Sequence, residues 1–178
     1  IKIYSENSNN KEIIGFENQS EILFSIVENY RIFHQLKTEL KSNKFFKYKN
    51  SLSYKDINKI NCDLLINCDQ EHEITKKFFL KKFEKKYDSI AYTTLIDHKI
   101  LLSNDVAIQI FTKKGPIAFL PVSNKKTSIV YSVQTKKSGN TFDIKNSIIK
   151  FNLNYQIQKI NKISKFNLKS SNLRKYYK

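Results

Sequence analysis

Hydrophobic and polar residues alternate with a period of two through the middle of this chain, from residue 89 to residue 133. Such alternation predicts β-strands with one buried and one exposed face. The segments TKKGP and SNKKT between them are rich in turn-forming residues, so we expect neighbouring strands to run antiparallel. Pro116 and Pro121 bracket one strand, which indicates an edge position or prolines at strand ends. The predicted strands are SIAYTTLIDH, VAIQIF, GPIAFLPV and TSIVYSV.

The N-terminal part of the chain predicts a pair of short strands followed by a helix. IKIYSE and KEIIGF alternate on either side of the polar turn NSNN, as in a hairpin. The helix is ENYRIFHQLKTELKS, with Asn29 placed as its candidate N-cap. Its apolar side chains recur at helical spacing and share one face. They are Ile32, Phe33, Leu36 and Leu40.

Between these two regions, strand and helix patterns are mixed. FFKYKNSL is a candidate strand. CDLLINC is a compact apolar run, typical of a strand buried on both faces of a parallel sheet. In EITKKFFLKKFEKK the apolar spacing predicts a helix with Ile74, Phe78 and Phe83 facing inward.

Beyond the alternating region, FDIKNSIIKF predicts one more helix, and the remainder to LRKYYK is polar with little periodicity. The order of elements is therefore strand, helix and strand first, with an antiparallel sheet afterwards. This order predicts an α/β (α+β) fold.

The charge of the chain raises nucleic acid as a partner. The chain has 32 Lys+Arg against 16 Asp+Glu, a formal net charge of +16, and neutralised phosphates release counterions. Only Arg31 and Arg174 are arginines, however, and specific phosphate and base readout depends on the arginine fork. The lysines are dispersed beside Asn and Ile, which share A/T-rich codons. We therefore expect no nucleic-acid partner. The alternative hypothesis is that the chain is a basic nucleic-acid-binding module or a non-catalytic binding module.

The two cysteines indicate a reducing compartment. Cys62 and Cys68 lie six residues apart, which in a strand separates them by about 20 Å. A disulfide requires Cα atoms within about 7 Å, so two buried free thiols are expected. The sequence contains no apolar run near the roughly 18 residues of a membrane-spanning helix, although a basic surface could rest against anionic lipid.

The sequence contains no GxGxxG, P-loop or GxSxG motif, and His34, His72 and His98 show no metal-ligand spacing, so no metal site is predicted. DQEHE, residues 69–73, offers carboxylates and an imidazole at the end of the predicted buried strand. The simpler interpretation of DQEHE is a polar loop that caps the next helix. No catalytic residue is predicted.

The alternating region nevertheless resembles a known family. It is similar to the substrate-domain sheet of FAD-dependent aromatic hydroxylases of ubiquinone biosynthesis, which are class A flavoprotein monooxygenases of the p-hydroxybenzoate-hydroxylase-like kind. That family shows a tyrosine-led strand, a Q-x-F strand, a G-P-x-A-x-L-P strand and a strand ending in an aromatic residue and serine. These places are taken in order by Tyr87, Gln109, Phe111, Gly115, Pro116, Ala118, Leu120, Pro121, Tyr131 and Ser132.

The flanking segments are similar to the family as well. SIVENYRIFHQLKTEL resembles a helix that begins V-E-N-R and contacts the flavin. CDLLINCDQEHEITKKFF resembles the segment A-D-L-x-x-G-A-D-G-x-x-S-x-V-R, and FNLKSSNLRKYYK resembles the lead-in to G-D-A-x-H.

This chain departs from the family pattern at four positions. Asn67 and Gln70 stand where the family has glycines, and Tyr30 and Lys76 stand where it has arginines. A glycine lets the backbone approach a dinucleotide closely, an approach that Gln70 places in doubt.

The resemblance implies an internal fragment of a p-hydroxybenzoate-hydroxylase-like fold, with part of a Rossmann-like FAD domain plus an antiparallel substrate-binding sheet. Residues 1–23 would add strands to the substrate sheet, and residues 24–86 would form part of the FAD-binding domain. Residues 87–140 would be the substrate-binding sheet, and residues 141–178 a helix and the return towards the FAD domain.

The resemblance also implies a function for the intact parent, but not for the fragment alone. The parent would be an FAD-dependent monooxygenase that hydroxylates the ring of a polyprenyl phenol with NAD(P)H and O2. Asn29 and Asp69 would bind the cofactor, and Gln109, Leu120 and Val122 would face the substrate. The expected location is cytoplasmic, peripheral to the inner membrane, with contact to a ubiquinone-synthesis complex.

Overall fold

The computed structural model describes residues 1–8, 11–17, 21–135 and 143–177. The chain divides into two compact units. The first, which we call the sheet unit, consists of Ile1–Glu28 and Lys86–Leu168. The second, which we call the helical unit, consists of Asn29–Lys85 and Lys169–Lys178.

The described strands form one eight-stranded sheet. They are β1 Lys2–Ser5, β2 Glu12–Gly15, β3 Lys82–His98, β4 Ile108–Thr112, β5 Gly115–Ser123, β6 Lys126–Gln134, β7 Ile157–Ile160 and β8 Ser164–Leu173. Their order in the sheet is β2-β1-β4-β5-β6-β3-β7, with β8 also paired to β3. The β1–β2, β4–β5, β5–β6, β3–β6 and β3–β7 pairs are antiparallel, and β1–β4 is parallel. The antiparallel sheet predicted from the alternation is therefore present.

One face of this sheet forms the hydrophobic core of the sheet unit. A helix that we call α4, Ile144–Phe151, lies on this face and buries Ile148 completely. Asp143 caps α4 by accepting hydrogen bonds from the backbone N–H groups of Lys145 and Asn146. The predicted helix FDIKNSIIKF is thus confirmed over residues 144–151. The buried strand residues of the core are Ile96, Ile108, Ile110, Ile117, Phe119, Ile129, Tyr131 and Val133.

The two prolines lie in a central strand rather than at the sheet edge. β5 is paired on one side with β4 and on the other with β6, so the edge alternative is wrong. Pro116 is the second residue of β5, and Pro121 adjoins an irregularity in the β5–β6 register. Strand ends and bulges tolerate the missing N–H of proline, which explains both positions.

The helical unit contains three described helices, α1 Asn29–Lys41, α2 Tyr54–Ile57 and α3 Glu73–Phe78. The predicted helix in ENYRIFHQLKTELKS is confirmed. Asn29 is the first residue of α1 and not its N-cap, so that part of the prediction is wrong. The apolar stripe of α1 remains exposed among the described residues.

Three predictions in the helical unit are wrong. CDLLINC forms no strand, and Leu64 and Ile66 in it are 74% and 73% exposed. A strand buried on both faces needs partner strands, and none of the described strands pairs with this segment. Cys62 and Cys68 are free, as predicted, but exposed rather than buried. FFKYKNSL is not a strand either.

The helix predicted over EITKKFFLKKFEKK is shorter than expected. It ends at Phe78, and β3 begins at Lys82. Ile74 is buried as predicted, whereas Phe83 lies in β3 and is 69% exposed. The polar C-terminal region forms β7 and β8, which lack strong alternation because most of their side chains are exposed. No helix in the described part of the chain is long and apolar enough to cross a lipid bilayer.

Candidate functional site

The face of the sheet opposite α4 has an ordered set of half-buried side chains, which we call the second face. In one row across the sheet, Gln109 pairs with Ala118, Ala118 with Val130, and Val130 with Thr93. In the next row, Leu120 pairs with Ser128 and Ser128 with Leu95. Successive residues of a strand point to opposite faces. These side chains therefore share the face opposite the buried core residues.

The three predicted substrate residues are not equivalent in this arrangement. Gln109 and Leu120 both lie on the second face, since Gln109 is opposite Ala118 and Leu120 is two residues farther along β5. Val122 is half-buried within the register irregularity between Pro121 and Ser123, where no regular cross-strand pair fixes its direction. Their substrate role remains a prediction.

The second face is apolar in its centre and polar towards its sides. Ala118, Leu120 and Val130 form a small apolar floor. The Gln109 amide lies on one side, and the hydroxyl groups of Thr93 and Ser128 lie on the other. A planar ring packs well on small apolar side chains, while polar groups at the margin fix its orientation.

A hollow of about 290 Å³ lies beside these hydroxyl groups. It is formed where β3 and β6 meet the segment that follows β7. Its lining residues are Thr93, Thr94, Leu95, Ser128, Asn161, Lys162 and Ser164.

Asn161 holds the segment after β7 against β3. Its backbone N–H and its side-chain Nδ2 both donate to the Leu95 carbonyl, at 2.9 and 3.0 Å. The same Nδ2 donates to Asp97 Oδ2 at 2.9 Å, and the Asn161 carbonyl accepts from Thr94 Oγ1 at 3.0 Å. These four hydrogen bonds fix the backbone that carries Lys162.

Sequence reasoning missed Asn161 and Lys162. They lie in the polar region where no periodicity was visible, and the bonds that position them are made to residues 64–67 positions away. The sequence feature that points to this region is the strong alternation of β3, which predicts that Thr93 and Leu95 lie on one face.

The predicted cofactor residues Asn29 and Asp69 both belong to the helical unit and are exposed. Asp69 Oδ1 accepts the backbone N–H of Glu71 at 2.9 Å, and the Asp69 carbonyl accepts Thr75 Oγ1 at 2.8 Å. Asn67 completes this turn by accepting the Asp69 N–H at 3.1 Å. The turn leads into α3, which agrees with the simpler interpretation of DQEHE as a polar loop before a helix.

His72, within the same segment, is the N-cap of α3. Its Nδ1 accepts the backbone N–H of Ile74 at 3.2 Å, which requires that Nε2 carry the proton. Nε2 then donates to the Leu52 carbonyl at 2.8 Å. Both ring nitrogens are thus used in local structure, so His72 is not available as a catalytic base in this arrangement.

The described residues do not form a recognisable cradle for a dinucleotide. No described contact joins Asn29 to Asp69, and the segment around Asp69 contains Asn67 and Gln70 but no glycine of the kind that lets a backbone approach a diphosphate closely. The turn around Asp69 uses its own polar groups internally.

The ionisable groups of the sheet unit whose pKa is shifted lie on the core side of the sheet. Burial raises the pKa of Tyr131, whose hydroxyl is 2.9 Å from Thr112 Oγ1. Burial also raises the pKa of Tyr155. The hydrogen bond from Lys150 lowers the pKa of Glu6. These groups stabilise the packing of α4 and its flanking segments, and they are not on the second face.

Part of the chain is similar to a known monooxygenase. The chain is 28% identical over 91 residues to the mitochondrial ubiquinone biosynthesis monooxygenase COQ6 of Drosophila melanogaster. The match covers 50% of this chain and 19% of the fly protein, so the matched part spans about a fifth of that relative's length. No protein-family model matches the chain.

Proposed function

We propose that this chain is part of an FAD-dependent monooxygenase that hydroxylates the aromatic ring of a polyprenyl phenol in ubiquinone biosynthesis. The observation that carries the proposal is the similarity to the fly monooxygenase over 91 residues. The family resemblance of the segment from Tyr87 to Val133 adds further support.

The geometry of the sheet unit is compatible with this function. α4 covers one face, whereas the second face presents an apolar floor with Gln109 on one side and hydroxyl groups on the other. An aromatic ring on this floor would be kept from water beneath and oriented at its margin. The oxygen chemistry would belong to FAD, reduced by NAD(P)H, as the resemblance implies.

The proposed role of this chain is therefore to bind and orient the substrate. Gln109 and Leu120 would contact the ring, and Val122 would lie beside the irregular end of β5. None of the described residues is assigned a proton-transfer step. The position at a membrane surface, the ubiquinone-synthesis complex and the cofactors FAD and NAD(P)H are all parts of this proposal.

The test is made on the protein as its gene encodes it. We expect the purified protein to release stoichiometric FAD on denaturation, to consume O2 with NAD(P)H, and to add one oxygen atom to a prenylated phenol, detected by mass spectrometry. A Leu120→Asp variant that keeps its FAD should lose product formation, because the charge disrupts the apolar floor. A protein that folds but contains no flavin and forms no oxygenated product contradicts the proposal.

A second measurement separates the function of the parent from that of this segment. We expect the 178-residue chain by itself to be colourless, because its sequence has no glycine-rich motif of the kind that binds phosphate at a helix N-terminus. Stoichiometric, tightly bound FAD in that chain would show that the helical unit forms a flavin site of a different kind.

A further inference from the structure

We propose that the sheet unit docks on an anionic lipid bilayer through the loop between β3 and β4, with Ile100 and Leu102 inserted among the lipid headgroups. We call this loop, residues 99–107, the docking loop. The inference deepens the membrane position that is part of the proposed function, and it rests on that function in this respect. The surface itself is argued from the exposure, contacts and charges of its own residues.

The docking loop presents two aliphatic side chains to water. Leu102 is fully exposed, at 105%, and Ile100 is 73% exposed. Leu101, between them, packs against the hydrophobic core and anchors the loop. Single exposed apolar residues are common on protein surfaces, but here two of them stand one residue apart at the same tip. Their transfer from water into an apolar medium is favourable in free energy.

Backbone hydrogen bonds hold the docking loop in place on both sides of Ile100. The Leu101 N–H donates to the Asn124 carbonyl, in the β5–β6 turn, at 2.9 Å. The Lys99 N–H donates to the Gln156 carbonyl, just before β7, at 3.0 Å. The aliphatic side chains therefore project from an ordered backbone, and little backbone freedom is lost when they are buried in another surface.

Lysines surround these aliphatic side chains. Lys99 precedes Ile100, Lys125 lies in the adjoining β5–β6 turn, and Lys126 and Lys159 lie on β6 and β7. All four lysines are exposed, and none of them forms an ion pair with another residue in the described part of the chain. A lysine close to an anionic bilayer strengthens binding about fivefold.

Two carboxylates lie near these lysines and do not cancel their charge. Asp97 is opposite both Lys126 and Lys159 in the sheet, and its Oδ2 accepts a hydrogen bond from the Asn161 amide at 2.9 Å. Asp105 is exposed within the docking loop. Four lysines against two carboxylates leave this end of the sheet unit with a net positive charge.

The combination of charge and apolar exposure favours a bilayer over other partners. Nucleic acid would attract the lysines, but its phosphate surface offers no apolar medium for Ile100 and Leu102. A second copy of the chain would bring the same positive surface against itself in a symmetric contact. An anionic bilayer offers headgroups for the lysines and an acyl boundary for the aliphatic side chains at once.

The opposite end of β5 provides an internal comparison. The β4–β5 turn contains Lys113 and Lys114, just as the β5–β6 turn contains Lys125. The β4–β5 turn has no aliphatic side chain, and β5 separates the two turns. Charge alone would make both ends bind anionic lipid, whereas the proposal assigns binding to the end with the docking loop.

The test measures co-sedimentation of the protein, as its gene encodes it, with two kinds of vesicle. One kind is phosphatidylcholine alone, and the other is phosphatidylcholine mixed in equal parts with phosphatidylglycerol. We expect the mixed vesicles to be bound more than about tenfold more tightly, because several lysines face the anionic headgroups. This preference should decline as salt is added.

Matched variants locate the contact. Leu102→Ser should weaken binding to the mixed vesicles about tenfold through lost apolar burial, whereas Ile149→Ser, at an exposed aliphatic residue of α4, should not weaken it. Lys125→Gln should weaken binding about fivefold, and Lys113→Gln, in the turn at the other end of β5, should leave it unchanged.

Three results overturn the proposal. The first is equal affinity for the two kinds of vesicle. The second is a loss of binding in Ile149→Ser or Lys113→Gln as large as that in Leu102→Ser or Lys125→Gln. The third is absence of binding to the mixed vesicles together with a dimer, or a complex with another protein, that depends on Leu102.

Failure of the docking loop can be told apart from failure of the hydroxylase. Vesicle binding that depends on Leu102 and Lys125, in a protein that proves to contain no flavin, would leave the docking loop standing. Oxygenation of a prenylated phenol dispersed in detergent, by a protein that does not bind vesicles, would support the hydroxylase and remove the docking loop.

Discussion

The buried His98 imidazole is hydrogen-bonded to the hydroxyl group of Thr127, with Nε2 and Oγ1 3.0 Å apart on the neighbouring strands β3 and β6. Asn104 Nδ2 donates to the same Oγ1 at 3.1 Å, and Tyr155 donates to Asn104 Oδ1 at 3.1 Å. His98 Nδ1 donates to the Lys99 carbonyl at 2.9 Å, so Nε2 accepts the hydrogen of the Thr127 hydroxyl, whose oxygen in turn accepts the hydrogen bond from Asn104. The resulting network connects the sheet to the segment before β4 and to the residues after α4.

Removing the Thr127 hydroxyl is expected to destabilise the protein strongly. Thr127→Val keeps the volume but leaves buried His98 and half-buried Asn104 without a shared partner, which we expect to cost about 1–3 kcal/mol of unfolding free energy. Thr127→Ser keeps the hydroxyl and should cost less than Thr127→Val. Urea unfolding followed by circular dichroism measures both. A smaller loss for Thr127→Val than for Thr127→Ser would show that packing of the methyl group matters more than the network.

Gly115 at the start of β5 is expected to be intolerant of any side chain. Its φ is +139°, and a Cβ there would overlap the backbone carbonyl oxygen of Ser132. We expect Gly115→Ala to lower the unfolding free energy by more than about 1 kcal/mol, because both the conformation and the contact are unfavourable.

Gly15 provides the matched control. Its Cβ would meet the flexible carboxylate of Glu12, which can move away. Thermal unfolding of the two alanine variants should therefore show a clearly larger loss of Tm for Gly115→Ala. Similar losses for both variants would indicate that the positive φ of Gly115 is not maintained in solution.

Ile148 and Ile149 on α4 offer a matched pair for the core of the sheet unit. Ile148 is 0% exposed and packs against the sheet, whereas Ile149 is 59% exposed. We expect Ile148→Ala to cost about 2–5 kcal/mol through lost burial and a cavity, and Ile149→Ala to stay within about 0.5 kcal/mol. The comparison of their urea midpoints tests whether α4 is seated on this face. A larger effect at Ile149 would mean that the helix is rotated about its axis.

The elements predicted correctly are those with one buried face, because their sequences alternate between buried and half-buried positions. In β5, Ile117 and Phe119 are buried while Ala118 and Leu120 are half-buried, and the sequence alternates accordingly. β8 was not predicted, although its backbone pairs with β3. Most of its side chains are exposed, so its sequence shows no clear alternation of apolar and polar residues. CDLLINC shows the opposite case, since an apolar run becomes a buried strand only where partner strands are present.

The same distinction applies to the candidate site. The family resemblance singled out Gln109 and Leu120, and the cross-strand register shows that both lie on the second face. Lys162 could not be found in this way, because its position depends on the bonds that Asn161 makes to β3, 66 residues earlier in the chain. The positions of Gln109 and Leu120 in the sheet follow from the strand pattern around them, whereas the position of Lys162 follows from tertiary contacts.

The last prediction concerns pH and the ion pair between Glu6 and Lys150, 2.8 Å apart. The hydrogen bond from Lys150 and that from the Lys113 backbone N–H lower the pKa of Glu6 from its ordinary value of 4.5. Because the folded-state pKa is the lower one, the stabilisation is present above the unfolded-state pKa. It is lost as the pH falls through the folded-state pKa.

We therefore expect the stability advantage of the unmodified chain over Glu6→Gln to shrink as the pH is lowered from neutral through about 4.5 and below. Lys150→Gln removes the largest cause of the shift but leaves the Lys113 bond, so it should show an intermediate pH dependence. Urea midpoints of the three proteins at a series of pH values provide the measurement. Parallel curves for the unmodified chain and Glu6→Gln would show that the contact between the end of β1 and α4 is absent in solution.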